Sequence, residues 1–174
     1  MDFIELIRNR RSVRRFRKSK VDPAKLVAIM ESVRAAPSAG NLQSYRVAVV
    51  EELRLKAALA MAAGGQQFLE AAALILVFFA DLERSAARYG DRGRALFALQ
   101  DATIAAAYAQ LATASLGLAS CWVGAFDEED VIRALSPPAG LRPVAMLPIG
   151  EAAEAPRRPA RRRVDALLLG AGPK

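Results

Sequence analysis

The sequence predicts one mixed α and β domain, and three observations carry that prediction. Short runs rich in branched and aromatic residues (46–50, 74–79 and 144–149) have the length and composition of buried strands. Between them lie segments whose apolar residues recur at helical spacing. Third, Ala102 to Phe126 passes 25 residues without a charge and is alanine-rich, which reads as a helix buried on nearly all sides followed by a buried strand. No internal repeat or domain-boundary linker interrupts residues 1–174, and a chain of 174 residues suits one well-buried core.

The elements follow in order. Residues 2–9 form a short amphipathic helix carrying Phe3, Ile4, Leu6 and Ile7. Asp22-Pro23 opens a second helix, because Asp22 suits the N-cap and Pro23 the first helical position. Leu26, Ile29, Met30 and Val33 continue it until Ala36-Pro37 stops it. Residues 46–50 are a buried strand, and Leu53 to Ala62 a helix ended by Gly64-Gly65. Leu74 to Phe79 is a central strand. Asp81 to Arg94 is charged and holds Gly90 and Gly93, so a loop or irregular helix is expected. The long uncharged helix runs from about Leu96 to Leu116. Ser120 to Val123 is a third strand, Glu128 to Leu135 a helix, and Val144 to Ile149 a fourth strand. Ser136-Pro137-Pro138-Ala139-Gly140 is a turn. After Gly150 comes an Ala/Pro/Arg tail with a short helix near Asp165 to Leu169.

Hydrophobic residues make up 53% of the chain and charged ones 25%, which places it among globular proteins. Neither apolar run reads as a membrane span. Ala71 to Ala80 has about half the roughly 20 residues a spanning helix needs, and Ala102 to Phe126 contains Thr103, Gln110, Thr113, Ser115, Ser120 and Gly117. Cys121 is the one cysteine, so no internal disulfide forms and a reducing, cytoplasmic setting is expected. No secretory signal is recognised.

The net charge is +7 and the pI about 10.2. Nine of the 25 basic residues lie between Arg8 and Lys25, and five more between Arg157 and Arg163. Arginine dominates both clusters, which favours forked recognition of phosphate over diffuse attraction. Residues 8–16 alone pack five guanidinium groups around Ser12. Most catalytic hardware is absent. The chain has no histidine, so histidine triads and imidazole metal sites are excluded, and one cysteine makes no thiolate metal site. No GxGxxG follows a strand and no GxxxxGK[ST] occurs. An enzyme this poor in acid–base groups leaves the hard chemistry to a cofactor.

Four segments in one order resemble the nitroreductase family. Arg10-Arg11-Ser12-Val13-Arg14 is similar to the family's N-terminal Arg-x-Ser-x-Arg/Lys, and Pro37-Ser38-Ala39-Gly40-Asn41-Leu42-Gln43 to the loop it places against flavin. Gln100-Asp101 with the alanine-rich helix, then Gly117 to Phe126, resemble its central helix and the strand and loop that follow. The resemblance spans essentially the whole chain. It implies an α+β fold with a central, mostly antiparallel sheet flanked by helices and the long buried helix at a dimer interface. It also implies FMN as cofactor and NAD(P)H as co-substrate in a homodimer. In the implied ping-pong reaction NAD(P)H reduces the flavin and leaves, and a small electron-poor acceptor such as a nitroaromatic or quinone then takes the electrons.

The implied roles are specific. Arg10, Ser12 and Arg14 hold the ribityl phosphate and the polar edge of the ring, with Arg11 contributing at least its backbone. Pro37, Ser38, Ala39 and Asn41, with Gln43 a weaker candidate, come from the other subunit and cover the flavin. Val123, Gly124 and Ala125 line it, the last two through backbone N–H groups. Arg161 and Arg162 close on the phosphate. Two departures stand out: Ser44-Tyr45 replaces the usual Pro-Trp or Pro-Tyr, and Glu83 to Arg94 is short where larger members shape a substrate pocket. Gln66 and Gln67 both remain open as a further polar contact. Trp122 is expected to pack in the core and Cys121 to be a small buried apolar residue.

Other readings remain beside this one. The basic stretch, taken alone, is a solvated surface or a nucleic-acid patch. It lacks the interleaved aromatics of single-strand binders and any DNA-reading helix, so neither a nucleic-acid nor a membrane partner is expected. The same fold also supports other flavin reactions, substrate oxidation or oxygen-dependent chemistry among them.

Overall fold

A four-stranded antiparallel sheet organises the computed structural model, which describes residues 2–170. The expected domain span of 1–174 includes Met1 and residues 171–174, which lie outside the described residues. In chain order the elements are α1 (Phe3–Asn9), α2 (Pro23–Arg34), β1 (Tyr45–Val50), α3 (Leu53–Ala62), α4 (Phe68–Ala71), β2 (Leu74–Asp81), α5 (Leu82–Arg92), α6 (Ala98–Ser115), β3 (Ala119–Ser120), α7 (Glu128–Leu135) and β4 (Leu141–Gly150). The strand order is β1-β2-β4-β3.

The uninterrupted apolar run of β2 follows from its place at the centre of the sheet. Leu74, Leu76 and Phe78 face α2 and α6, packing with Ile29, Val33, Ala105, Ala106 and Ala109. The alternate residues Ile75, Val77 and Phe79 face α3, α4 and α7, packing with Leu59, Leu69 and Val131. With both faces covered, neither set can be polar. Trp122 packs at the border of the α2/α6 core, as the sequence leads one to expect.

Local chemistry sets several element ends. The Asp22 carboxylate accepts from the Ala24 N–H at 2.8 Å, and Pro23 occupies the first helical position. Asp127 caps α7 by accepting from the Asp130 N–H at 2.9 Å. The charged segment after β2 is an irregular helix: Gly90, at φ +57°, breaks α5, and one π-type turn (Gly93–Phe97) leads into α6.

Helix α6 buries Asp101, Ala102, Ala105, Ala106, Ala109 and Thr113 against the sheet. Its opposite side, with Thr103 and Tyr108, is exposed in the single chain. Burial in one protomer is therefore one-sided, unlike the all-round burial that the apolar composition suggests. Phe3, Ile4 and Ile7 of α1 are exposed as well. No helix among the described residues is long and apolar enough to cross a membrane.

Candidate functional site

The segment after α1 forms an extended arm zipped onto the sheet edge. Ser12 bridges Ser120 in parallel, with the Val13 N–H donating to the Ser120 carbonyl at 3.1 Å. Beyond it the Arg17 N–H donates to the Glu151 carbonyl at 2.9 Å, and the Ala153 N–H to the Arg15 carbonyl at 2.8 Å. Glu154 locks the middle: its Oε1 accepts from the Arg14 N–H at 2.6 Å and the Arg15 N–H at 3.1 Å. The arm's backbone groups are thus consumed by the fold, which leaves its side chains free for other work.

Those side chains line a cavity of about 350 Å³ with Arg8, Arg10, Arg11, Ser12 and Arg14 on one wall and Arg157, Arg158 and Arg161 on the other. Arg11 spends its Nη1 on the carbonyls of Arg8 (2.6 Å) and Arg10 (2.9 Å), so it shapes the turn. Arg10 Nη1 is buried with no hydrogen-bond partner among the described residues. Burial lowers the Arg10 pKa first, and the guanidinium groups of Arg161 and Arg11 lower it further. A half-buried guanidinium with a buried, unpartnered nitrogen and no counter-ion is costly, and an anion would relieve that cost. Arg162 is not in the lining; its Nη2 donates to the Ala166 carbonyl at 2.6 Å.

The chain after β3 runs beside this cavity. Cys121 is buried, and burial raises its pKa despite the nearby guanidinium groups of Arg14 and Arg10 and a hydrogen bond with Ser12. It is a neutral thiol at ordinary pH. Nothing cationic adjoins it in sequence; the folded arm brings the arginines to it. Val123 exchanges 2.9 Å hydrogen bonds with Met146 in both directions, so its backbone is fully used. Gly124 and Ala125 are exposed, and their N–H groups carry no hydrogen bond among the described residues. The Arg14 guanidinium lies 5.9 Å from the ring centre of Phe68, which places the Gln66–Phe68 segment beside the arm. Gln66 donates to the Ala63 carbonyl at 2.9 Å.

The loop at 37–44 is held elsewhere, by α5 and α6. Asp101, buried at 2% exposure, accepts from the Ala39 N–H at 2.9 Å and the Ser44 N–H at 3.4 Å, clamping both ends. Within the loop Ser38 Oγ accepts from the Gln43 N–H at 2.9 Å, and Gln43 Nε2 donates to Asn41 Oδ1 at 3.2 Å. Gly40, Asn41 and Gln43 all have positive φ (55°, 56° and 50°). Pro37, Ser38 and Ala39 line an open groove of about 610 Å³ with the start of α6. No hydrogen bond among the described residues ties this loop to the arm.

Tyr45, just after the loop, donates from its hydroxyl to the Val33 carbonyl at 2.8 Å. Burial raises its pKa from the ordinary 10.0, and the Asp101 carboxylate adds to the rise. Between the ordinary and the raised value the folded state holds the proton that the unfolded chain releases. Stability therefore falls as pH rises above about 10. Denaturant melts from pH 8 to 11 should show this decline, and Tyr45→Phe should flatten it.

Sequence reasoning missed Glu154, Arg157 and Arg158, and it did not anticipate the clamping role of Asp101. The one available signal was the arginine run at 157–163, of which Arg157, Arg158 and Arg161 line the cavity.

Against known proteins, the model of the Nitroreductase family matches residues 7–66 and 53–151. A protein named NADH dehydrogenase from Thermus thermophilus is 33% identical over 172 residues, covering 83% of this chain and 84% of its own. An FMN reductase (NADPH) of Bacillus subtilis is 28% identical, over 86% of this chain and 66% of that one. Among solved structures, an NADPH:FMN oxidoreductase from Vibrio harveyi, complexed with NAD+, superposes with a TM-score of 0.90. That alignment has 25% identity and covers 99% of this chain and 78% of the other. The chain belongs to the nitroreductase family.

Proposed function

We propose that this chain is an FMN-dependent oxidoreductase that takes electrons from NAD(P)H and delivers them to nitroaromatic, quinone or similarly electron-poor acceptors, working as a homodimer in the cytoplasm. The observation that carries the cofactor is the cavity of clustered arginines in which Arg10 Nη1 is buried and unpartnered. Its donor set fits a phosphate monoester: several guanidinium forks, no carboxylate in the lining, and mutual repulsion that an anion relieves. The relatives named FMN reductase and NADPH:FMN oxidoreductase agree with that chemistry.

In this reading Arg10, Ser12, Arg14 and Arg161 hold the phosphate and the polar edge of the cofactor, and Arg157 and Arg158 complete the cavity. Arg11 and Glu154 keep the arm in shape. Arg162 contributes charge nearby. Bound there, FMN supplies two-electron redox chemistry, which explains why the chain needs no histidine or other general base. The unspent N–H groups of Gly124 and Ala125 would donate to the ring edge where electron density rises on reduction. Val123 fixes their position through its bridge to Met146.

The dimer follows from two unfinished surfaces. The outer side of α6 and the apolar residues of α1 lack cover. The loop carrying Pro37, Ser38, Ala39, Asn41 and Gln43 is built with care, yet it has no hydrogen bond to the arm of its own chain. A two-fold partner places each loop over the other chain's cofactor.

The test is the visible spectrum of the purified protein, with identification of the released flavin and sizing in solution. A flavin spectrum, FMN on release, a dimer and steady NAD(P)H oxidation with a quinone or nitroaromatic are expected. A colourless monomer that takes up no added FMN overturns the reading.

A further inference from the structure

We propose that Arg84, Arg88 and Arg92, on either side of the break in α5, form the docking strip for the phosphates of the dinucleotide reductant; the inference rests on the oxidoreductase reading above. Arg84, Arg88 and Arg92 are exposed, and none is within ion-pair distance of a carboxylate among the described residues. Arg94, in the next turn, is instead taken up by Glu83. The strip is ordered rather than loose. Arg84 Nε donates to the Leu42 carbonyl at 2.5 Å, and Arg88 Nη1 to the Gly40 carbonyl at 3.3 Å. Arg88 lies 5.4 Å from the ring centre of Tyr89 and Arg92 5.3 Å from that of Phe97, and the two rings meet edge to face at 5.1 Å. A Cβ on Gly40 would collide with the Tyr89 hydroxyl and the Arg88 guanidinium, so strip and loop are in close contact.

A solvated helix usually pairs its charges, whereas here three guanidinium groups around the break at Gly90 stay uncompensated beside the loop that covers the cofactor in this reading. Each is fixed on a carbonyl or a ring and keeps most of its five N–H donors unspent. Binding a phosphate then costs little further side-chain freedom, and the planar fork matches its oxygens. The nicotinamide must reach the cofactor beneath this loop. The anionic part of the same molecule, its pyrophosphate and in the phosphorylated form the adenosine ribose phosphate, extends away and needs cations at the rim. The strip supplies them.

The test uses the FMN-loaded protein and calorimetric binding of NADP+ and NAD+ at low and high salt, with flavin content measured in each variant. Glutamine at Arg88 and Arg92 removes charge while keeping a donor for the Gly40 carbonyl. The double variant R88Q/R92Q is expected to raise the NADP+ Kd about 10-fold and to flatten its salt dependence, with flavin content unchanged. R54Q, the same single charge loss as R92Q alone but on α3, should change neither. An equal loss for NAD+ assigns the strip to the pyrophosphate, and a loss confined to NADP+ assigns it to the ribose phosphate; both support the proposal. If the double variant sheds flavin, R92Q alone decides, because Arg92 makes no hydrogen bond to the loop among the described residues. Unchanged Kd values with flavin retained overturn the strip and leave the oxidoreductase reading standing. A wild-type protein that binds no flavin overturns both.

Discussion

Replacing Arg10 by alanine weakens FMN retention by about 10- to 100-fold, the worth of a charge-assisted hydrogen bond of about 1.5–3 kcal/mol, while the flavin-free protein melts no earlier than wild type. The two halves of this expectation have one cause. Arg10 is half-buried beside Arg11 and Arg161 with its Nη1 buried and unpartnered, so in the flavin-free fold its charge is a cost. A guanidinium keeps its proton inside a protein, so the charge persists throughout the working pH range. Removing it relieves repulsion and leaves the arm's backbone ladder to Ser120, Glu151 and Glu154 untouched. An anion in the cavity has the same effect by another route. Inorganic phosphate should raise the melting temperature of the wild-type protein, as any ligand of the native state does, and raise that of Arg10→Ala much less. Equal losses of flavin affinity and stability would make Arg10 a structural residue and move the phosphate elsewhere.

Why some features were legible and others were not comes down to the distance over which their causes act. The starts of α2 and α7 are set by Asp22, Pro23 and Asp127 acting on neighbours two or three residues away, and those helices read directly from the chain. Strand β4 is expected at 144–149 but runs from Leu141 to Gly150. Its extra residues exist because Leu141 and Arg142 pair with Asp81 and Ala80 past an irregularity at Phe78/Phe79, a partner that local composition cannot reveal. Strand β3 is shorter than expected for a related reason. After Ser120, which pairs with Ile149 on one side and the arm's Ser12 on the other, the chain leaves the ladder and returns at Val123. In the candidate site, the residues named from sequence sit in compact motifs, the arm and the loop. Those missed act across the chain: Glu154 reaches back 140 residues to the Arg14 N–H, and Asp101 reaches 62 residues to Ala39. Neither carboxylate differs in sequence from a solvated one.

Asp101→Ala should be the most damaging single change at the loop, costing about 2–4 kcal/mol of stability and most of the flavin affinity with it. Asp101 is buried, and its two oxygens serve the N–H groups of Ala39 and Ser44 at opposite ends of the loop. Removing it leaves those donors unsatisfied, at about 1–3 kcal/mol for each group that stays dry. The loop also holds three residues at positive φ, two of them not glycine, a conformation that persists only while its surroundings impose it. With the clamp gone, Asn41 and Gln43 relax toward ordinary backbone, and the surface proposed to cover the partner's cofactor is lost. Asp101→Asn separates the contributions. Its amide oxygen still accepts from one N–H, but its NH2 faces the other, so it should lose less stability than alanine and still release one end of the loop. Denaturant midpoints of both variants, with FMN titrations of each, test this ordering. Stability of Asp101→Ala within about 0.5 kcal/mol of wild type, the range of an uninvolved surface change, would show that water or another group satisfies the loop and that the carboxylate is not its clamp.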